Sequence, residues 1–337
     1  MFNLATDIGV DLGTASVLIY VKGKGVVLRE PSVLAVDTHT NRVLAIGEEA
    51  RRMLGRTPGT IRAIRPLKDG VIADYDITEL MLKEFLGRVA GRRLFYRPRI
   101  MVCVPSGVTT VEKRAVIEAT LQAGARATYL IEEPLAAALG AGLDISEPGG
   151  NMVVDVGGGT TDIAVLSLGG IVLSRSLRVG GDKFDAAIVR YVKRKHNVMI
   201  GDRTAEELKI TAATASARGR DCAVEAKGRD LLTGLPKEVR LTSQDLREAL
   251  AEPLREILDG IRSVLEATPP ELAADIMERG MVLTGGGALL HGLDELIAHE
   301  TGVLVHLAED PLSCVALGTG VALENLELYE PQLVYRR

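Results

Sequence analysis

The feature that most constrains this chain is a short pattern written twice. Val10-Asp11-Leu12-Gly13-Thr14-Ala15 and Val154-Asp155-Val156-Gly157-Gly158-Gly159-Thr160-Thr161-Asp162 each set an aspartate in an apolar run, followed by a glycine turn and hydroxyl residues. Such a run reads as a buried strand, and the glycines let backbone N–H groups converge into a concave anion-binding surface. A carboxylate just ahead of the turn is placed to hold Mg2+ through water, because this ion keeps much of its hydration shell. Either turn alone is equally well a tight hairpin. The matched pair is what points to a site for nucleotide phosphates. A third element, Leu283-Thr284-Gly285-Gly286-Gly287-Ala288, follows another apolar strand and would let backbone pass close to a flat base, although taken singly it is a common kind of turn.

The repetition extends beyond the turns. Residues 10–20 read as strand, turn and strand, and residues 26–36 continue with strand-like composition around Pro31. A strand over 100–104 leads into a helix that opens on the capping box Thr109-Thr110-Val111-Glu112 and ends at Gly124. Residues 134–142 form an alanine-rich helix, and Glu147-Pro148-Gly149-Gly150 is a break that separates two lobes. The second half then repeats the plan: strand, glycine turn and strand over 152–168, a helix-rich region, and the apolar strand 281–284. Residues 215–241 are polar and glycine-interspersed, with β-like stretches at 222–226 and 238–241, as expected of a small inserted subdomain. A length of 337 residues also exceeds the roughly 250–300 at which single cores stop growing, which agrees with two lobes.

Composition narrows the function. Apolar residues at 47% and charged residues at 25% describe a folded chain with a large core, not a disordered one. A net charge of −5 with no long basic tract argues against nucleic acid as a partner. Cys103, Cys222 and Cys314 are far apart and form no CxxC, which suits a reducing compartment. No signal-like start and no apolar run of the roughly 18 residues needed to span a bilayer occur, so a cytoplasmic location is expected. GxxxxGK[ST], GxGxxG and HExxH are all absent.

The two phosphate turns, Ile131-Glu132-Glu133-Pro134-Leu135-Ala136-Ala137-Ala138 and the third glycine element together resemble the actin, sugar kinase and chaperone ATPase superfamily. Within it the chain is most similar to the MreB family of bacterial cell-shape proteins, through Arg29-Glu30-Pro31-Ser32-Val33, the segment from Ala63 to Tyr75, and Thr268-Pro269-Pro270-Glu271-Leu272, nearly end to end. The resemblance implies an α/β, actin-like fold: two duplicated ribonuclease-H-like lobes that clasp ATP and Mg2+, each carrying a smaller subdomain. Subdomain IA would comprise residues 1–32, 66–145 and 316–337, IB 33–65, IIA 146–180 and 246–315, and IIB 181–245. It also implies that Asp11 and Asp155 lie near Mg2+. Gly13, Thr14, Ala15, Ser16, Gly157, Gly158, Gly159 and Thr160 would touch phosphates, Gly285, Gly286, Gly287 and Ala288 would flank adenine, and Glu206, Glu207, Leu208 and Lys209 would lie on the nucleoside-contacting helix. Beside Asp155, Glu133 is the residue expected to orient or deprotonate the attacking water, with Glu132 in reserve.

The resemblance further implies filaments, paired into antiparallel double protofilaments through the helix at 112–123, that organise cell-wall synthesis and maintain rod shape with membrane proteins of the shape complex. Gly91-Arg92-Arg93-Leu94-Phe95-Tyr96-Arg97-Pro98-Arg99 sets three bulky apolar or aromatic residues among four arginines in a chain with only 3% aromatics. Leu94, Phe95 and Tyr96 are therefore expected to attach to the inner face of an anionic cytoplasmic membrane, the bland alternative being a core cover with a solvated arginine rim. Other superfamily functions stay open: a plasmid-segregation or division actin relative, or a small-molecule kinase. A chaperone-type ATPase would carry a substrate-binding domain after the lobes, for which a chain closing at Arg337 is expected to leave no room.

Overall fold

The computed structural model describes residues 7–90, 97–218, 221–329 and 332–336. Two sheets dominate it, and their orders explain the repeated motif. In the first, Val334–Arg336, Ala127–Glu132, Arg99–Val104, Ile8–Leu12, Ser16–Val21 and Gly25–Pro31 lie side by side. In the second the order is Gly170–Leu177, Thr161–Ser167, Asn151–Val156, Met281–Thr284 and Val305–Leu307. Each sheet therefore contains an antiparallel three-strand meander whose first strand also pairs in parallel with a later one. Each parallel neighbour is reached through intervening helices, as parallel pairing demands. The strands that carry Asp11 and Asp155 are these shared central strands, so each following turn emerges at a sheet end, where ligands of α/β folds bind.

Smaller sheets interrupt each half. Leu34–Asp37, Val43–Ile46 and Ile61–Ile64 form one, and Val198–Met199, Ala223–Asp230 and Pro236–Thr242 form the other. The last two strands run longer than the short β-like stretches expected at 222–226 and 238–241, because their antiparallel ladder continues through the polar ends, from Ala223 opposite Thr242 to Arg229 opposite Pro236. The capping box is present: Thr109 Oγ1 accepts from the Glu112 N–H while the Glu112 carboxylate accepts from the Thr109 N–H, opening the helix Thr110–Gln122.

Each lobe has its own core, around Val10, Ile19, Phe85 and Ile100 in the first and Val154, Ile163, Phe184 and Leu254 in the second. A third cluster belongs to both, since Met101 and Ile131 of the first sheet share it with Val153, Ala164 and Leu166 of the second. The chain crosses between lobes twice, and a helix accompanies each crossing: Glu133–Gly140 on the way out and Cys314–Glu324 on the way back. These helices meet backbone to backbone. A Cβ on Gly140 would stand 1.7 Å from the Cys314 carbonyl oxygen, and one on Gly318 1.7 Å from that of Ala136, so only glycine permits the approach.

Candidate functional site

The two glycine turns face each other across a cleft of about 550 Å3 between the lobes. Their closeness is set by missing side chains: a Cβ on Gly158 would lie 2.5 Å from the Ala15 Cβ, and one on Gly159 2.4 Å from Thr14 Oγ1. The first turn is pinned by the Gly13 N–H, which donates to the Ser16 carbonyl at 3.1 Å, and by Ser32 Oγ, fully buried, which donates to the Gly13 carbonyl at 2.6 Å. The second repeats the device, with the Gly157 N–H donating to the Thr160 carbonyl at 2.8 Å. Gly285, at φ +83°, turns the third element under the second, where any Cβ would meet the Val156 carbonyl.

Three carboxyls, of Asp11, Asp155 and Glu133, line this cleft, and a fourth, of Asp162, is buried on the strand beside Asp155. Asp11 is pushed up to about 7 by burial and then by the charge of Asp155, against a bond from Cys103 Sγ at 3.4 Å. Burial pushes Asp155 up to about 6, while Thr284 Oγ1 donates to it at 2.7 Å and opposes the rise. Glu133, at the first turn of its helix, is held well above the usual carboxylate range by burial and by the charges of Asp162, Asp155 and Asp11. Asp162, fully buried, rises to about 7 through burial, opposed by the Ser106 N–H at 2.8 Å. Like charges crowded out of water in this way call for a cation.

The donor set fits Mg2+ held through its waters. Among the described residues no three carboxylate, histidine or cysteine side chains converge closely enough to ligate an ion directly. Asp11 and Asp155 nevertheless both line the cleft beside the phosphate turns. That arrangement suits an ion bound by phosphate oxygens and water, with the protein's carboxylates in its outer shell.

Most of the sequence-derived residues come together here, and some do not. Asp11, Gly13, Thr14, Ala15, Ser16, Glu133, Asp155, Gly157, Gly158, Glu206, Lys209, Gly285, Gly286 and Gly287 line the cleft. Gly159 and Thr160 stand behind the turn, Gly159 against Thr14 and Asp69, and Thr160 buried. On the helix Asp202–Ala212 only every third or fourth residue can face one side. Glu206 and Lys209 therefore reach the cleft, while Leu208 is buried in the second core and Glu207 turns outward to pair with Arg203 at 3.0 Å. Ala288 packs into the same core below the third turn. Glu132 also points away: its carboxylate accepts from Ser106 Oγ at 2.8 Å and lies 4.0 Å from Lys113, which leaves Glu133 as the carboxylate of the pair that faces the cleft. Leu94, Phe95 and Tyr96 lie outside the described residues.

The cleft mouth holds residues that sequence reasoning missed. Arg51 of the first small subdomain reaches Glu206 of the second at 2.6 Å, and Arg65 reaches Asp182 at 3.0 Å. Lys209 Nζ sits 2.8 Å from the Asp185 carboxylate and donates to the Gly181 carbonyl at 3.1 Å, so its ammonium is fixed over the start of the helix Gly181–His196. The Gly180-Gly181 pair ahead of Asp182 is a signal that could have marked this helix start. No local pattern foretells which arginine will meet which acid across a cleft.

Two duplicated lobes joined by paired helices, with glycine turns opposed across the gap, define an actin-like protein. The comparisons place it more narrowly. The MreB/Mbl protein family model matches residues 5–331, and the chain belongs to that family. It is 56% identical to the cell shape-determining protein Mbl of Bacillus cereus over 323 residues, covering 96% of this chain and 97% of the relative. Against the cell shape-determining protein MreB of Escherichia coli K12 the identity is 53% over 331 residues, covering 96% and 95%. MreB 5 of Spiroplasma citri, solved with AMPPNP, superposes with a TM-score of 0.92 at 38% identity, covering 97% of this chain and 98% of that one. A chain of the MamK double helical filament matches at a TM-score of 0.81 and 20% identity, covering 95% and 99%, which speaks to the fold alone. The expected family and α/β actin-like fold are thus both found.

Proposed function

We propose that this chain binds ATP with Mg2+ in the interlobe cleft, hydrolyses it, and assembles into membrane-associated filaments that organise cell-wall synthesis and maintain rod shape. The observation that carries this is the pair of glycine turns facing each other beside Asp11, Asp155 and Glu133. Support comes from S. citri MreB 5, which has been solved with AMPPNP and with ADP, and from the cell shape-determining relatives.

In this reading both turns offer backbone N–H groups to the phosphates, and Lys209 and Glu206 take the nucleoside end. Mg2+, when bound beside Asp11 and Asp155, supplies positive charge to the phosphate oxygens and relieves the carboxylates' mutual repulsion. Glu133 accepts a hydrogen bond, and then the proton, from the water that attacks the terminal phosphoryl group. Burial and neighbouring acids favour its protonated form, so it acts as a base only once a bound cation offsets those charges. The cleft walls hold the attacking water and the phosphate in line, which is most of what hydrolysis of this kind requires.

Filament formation draws on the family and on the actin-like fold, with self-association through a contact that does not close on itself. Antiparallel pairing of protofilaments would use the helix Thr110–Gln122, whose Val111 is 75% exposed. Among the described residues no helix is long and apolar enough to cross a membrane. Attachment to the inner face of the cytoplasmic membrane is assigned to Leu94, Phe95 and Tyr96 with their neighbouring arginines, and shape-complex membrane proteins are the expected partners. Electron microscopy on anionic lipid with ATP and Mg2+, with ADP and without nucleotide, run beside phosphate release, tests the whole. Paired lipid-bound filaments with phosphate release are expected; phosphate release without assembly at any protein concentration would remove the filament half and point to a kinase-like member.

A further inference from the structure

Arg29 is a cation of the first lobe whose two side-chain partners lie in the second. It sits on the edge strand Gly25–Pro31 opposite Leu18, which in turn stands opposite Asp11. Residues directly opposite across a ladder share a face, so Arg29 is on the cleft side of the sheet, and it joins the cleft wall. Its guanidinium donates to Ser313 Oγ at 2.5 Å and lies 3.2 Å from the Asp310 carboxylate. Neither of these partners belongs to the cleft wall.

Ser313 sets this contact apart from an ordinary surface pair. It immediately precedes the helix Cys314–Glu324, where a serine usually caps, yet its side chain makes no capping bond. The residue is buried, and its hydroxyl serves Arg29 instead. The segment held in this way supports the third glycine turn. The Ser313 N–H and Cys314 Sγ both donate to the Asp310 carbonyl, at 3.0 and 3.3 Å, which closes residues 310–314 into a tight turn. Within it the Pro311 carbonyl accepts the Gly285 N–H at 2.9 Å, and a Cβ on Gly286 would lie 3.0 Å from Leu312 Cδ2. The third glycine turn therefore rests on residues 310–313, and Arg29 ties those residues to the lobe that carries the first phosphate turn.

We infer that Arg29 is a positioning residue for the nucleobase: it fixes the 310–313 turn, and through the Pro311 carbonyl the backbone of 285–287, at one distance from the first phosphate turn. This rests on the nucleotide reading given above. A charge-assisted bond to a buried hydroxyl is of the strong kind, while the ion pair, about half exposed on both sides, is screened. Together they set the scale of the effect at a few-fold in affinity.

The measurement is equilibrium binding of ethenoadenosine triphosphate with Mg2+, a probe whose fluorescence comes from the base itself, with acrylamide quenching of the bound probe and thermal melting on the same samples. Arg29→Ala should raise Kd by about fivefold and make the bound base easier to quench, with Tm within error of the parent protein. Ser313→Ala, outside the cleft wall and with no capping bond to lose, should act the same way by about threefold. The double variant should be no worse than Arg29→Ala alone, because both changes cut one connection. Arg29→Lys, which keeps a charge for Asp310, should recover part of the loss. A parent-like Kd in Arg29→Ala overturns the inference, as does a loss that tracks Tm. So does a loss in Arg29→Ala that Ser313→Ala does not share, or effects that multiply in the double variant, since the guanidinium would then act by touching the nucleotide directly. Failure of the unaltered protein to bind the probe is a separate result: it overturns the nucleotide reading, and this inference with it.

Discussion

Removing Arg51 should make the cleft leak nucleotide. Arg51 and Glu206 join the two small subdomains over the cleft mouth at 2.6 Å, with side chains 30% and 26% exposed. Two unit charges about 4 Å apart attract by about 4 kcal/mol at an effective dielectric of about 20. Partial exposure, salt and the ordering of two long side chains remove most of that. Arg51 also keeps a second acid, Glu48, at 3.3 Å, so its partnership with Glu206 is not exclusive. A net closing contribution of about 1 kcal/mol remains, equal to about a fivefold change in an opening equilibrium. Arg51→Ala should therefore speed dissociation of a fluorescent ATP analogue, followed by stopped flow, by about fivefold at low ionic strength. At about 1 M salt, where the Debye length is about 3 Å, variant and parent should converge. Arg65→Ala, which removes the contact to Asp182, should act in the same direction and independently. Release from Arg51→Ala within twofold of the parent at low salt would refute the reasoning, since the pair would then close nothing.

Four further outcomes follow from the site. Glu133→Ala should lower phosphate release by about 10²-fold or more while sparing ATP binding, and unchanged turnover would remove this carboxylate from the chemistry. Gly158→Val should abolish nucleotide binding without unfolding the lobes, because even a Cβ there falls 2.5 Å from the Ala15 Cβ; binding calorimetry and circular dichroism together check this. Asp11 holds its proton up to about 7 in the fold, so the stability it contributes is fully present below the ordinary carboxylate pKa and is lost as pH rises through about 7. Nucleotide-free protein should melt lower at pH 8 than at pH 5.5 by more than Asp11→Asn does, and equal pH slopes in the two would contradict that assignment. Finally, Leu94→Ser with Phe95→Ser should reduce sedimentation with anionic liposomes, and undiminished binding would end the assignment of attachment to those residues.

What could be read from the sequence was whatever local chemistry encodes. The capping box at Thr109, the alanine-rich helix after Glu133 and the three glycine turns all announce themselves because their causes lie within a few residues. The duplicated plan was visible for the same reason, written twice. Residues whose roles depend on the other lobe gave no such sign. Arg51 and Arg65 sit in ordinary-looking stretches, and the partners that give them meaning, Glu206 and Asp182, lie more than a hundred residues away. The helix at 202–212 was half legible: it entered only through the resemblance carried by residues 205–209, and treating Glu206, Glu207, Leu208 and Lys209 as one contact set ignored the turn of the helix, which sends Leu208 inward and Glu207 to solvent. Ser32 was noticed only as part of a resemblance, and its purpose emerges from the bond to the Gly13 carbonyl.

The crossing of the two connecting helices at Gly140 and Gly318 carries a mechanical consequence. Where side chains interlock, two bodies can move only by exchanging rotamers, and the packed state resists small displacements. Here main chain lies against main chain, with no Cβ on either glycine to act as a tooth. The junction therefore offers little resistance where the two glycines meet, and lobe rotation is opposed by the apolar cluster that both lobes share and, at the far rim, by ion pairs and whatever fills the cleft. A small tilt at the junction becomes a large separation at the rim, as at the handles of a pair of tongs. Contents of the cleft are thereby converted into the relative angle of two outer surfaces, which is the quantity a neighbouring subunit would feel.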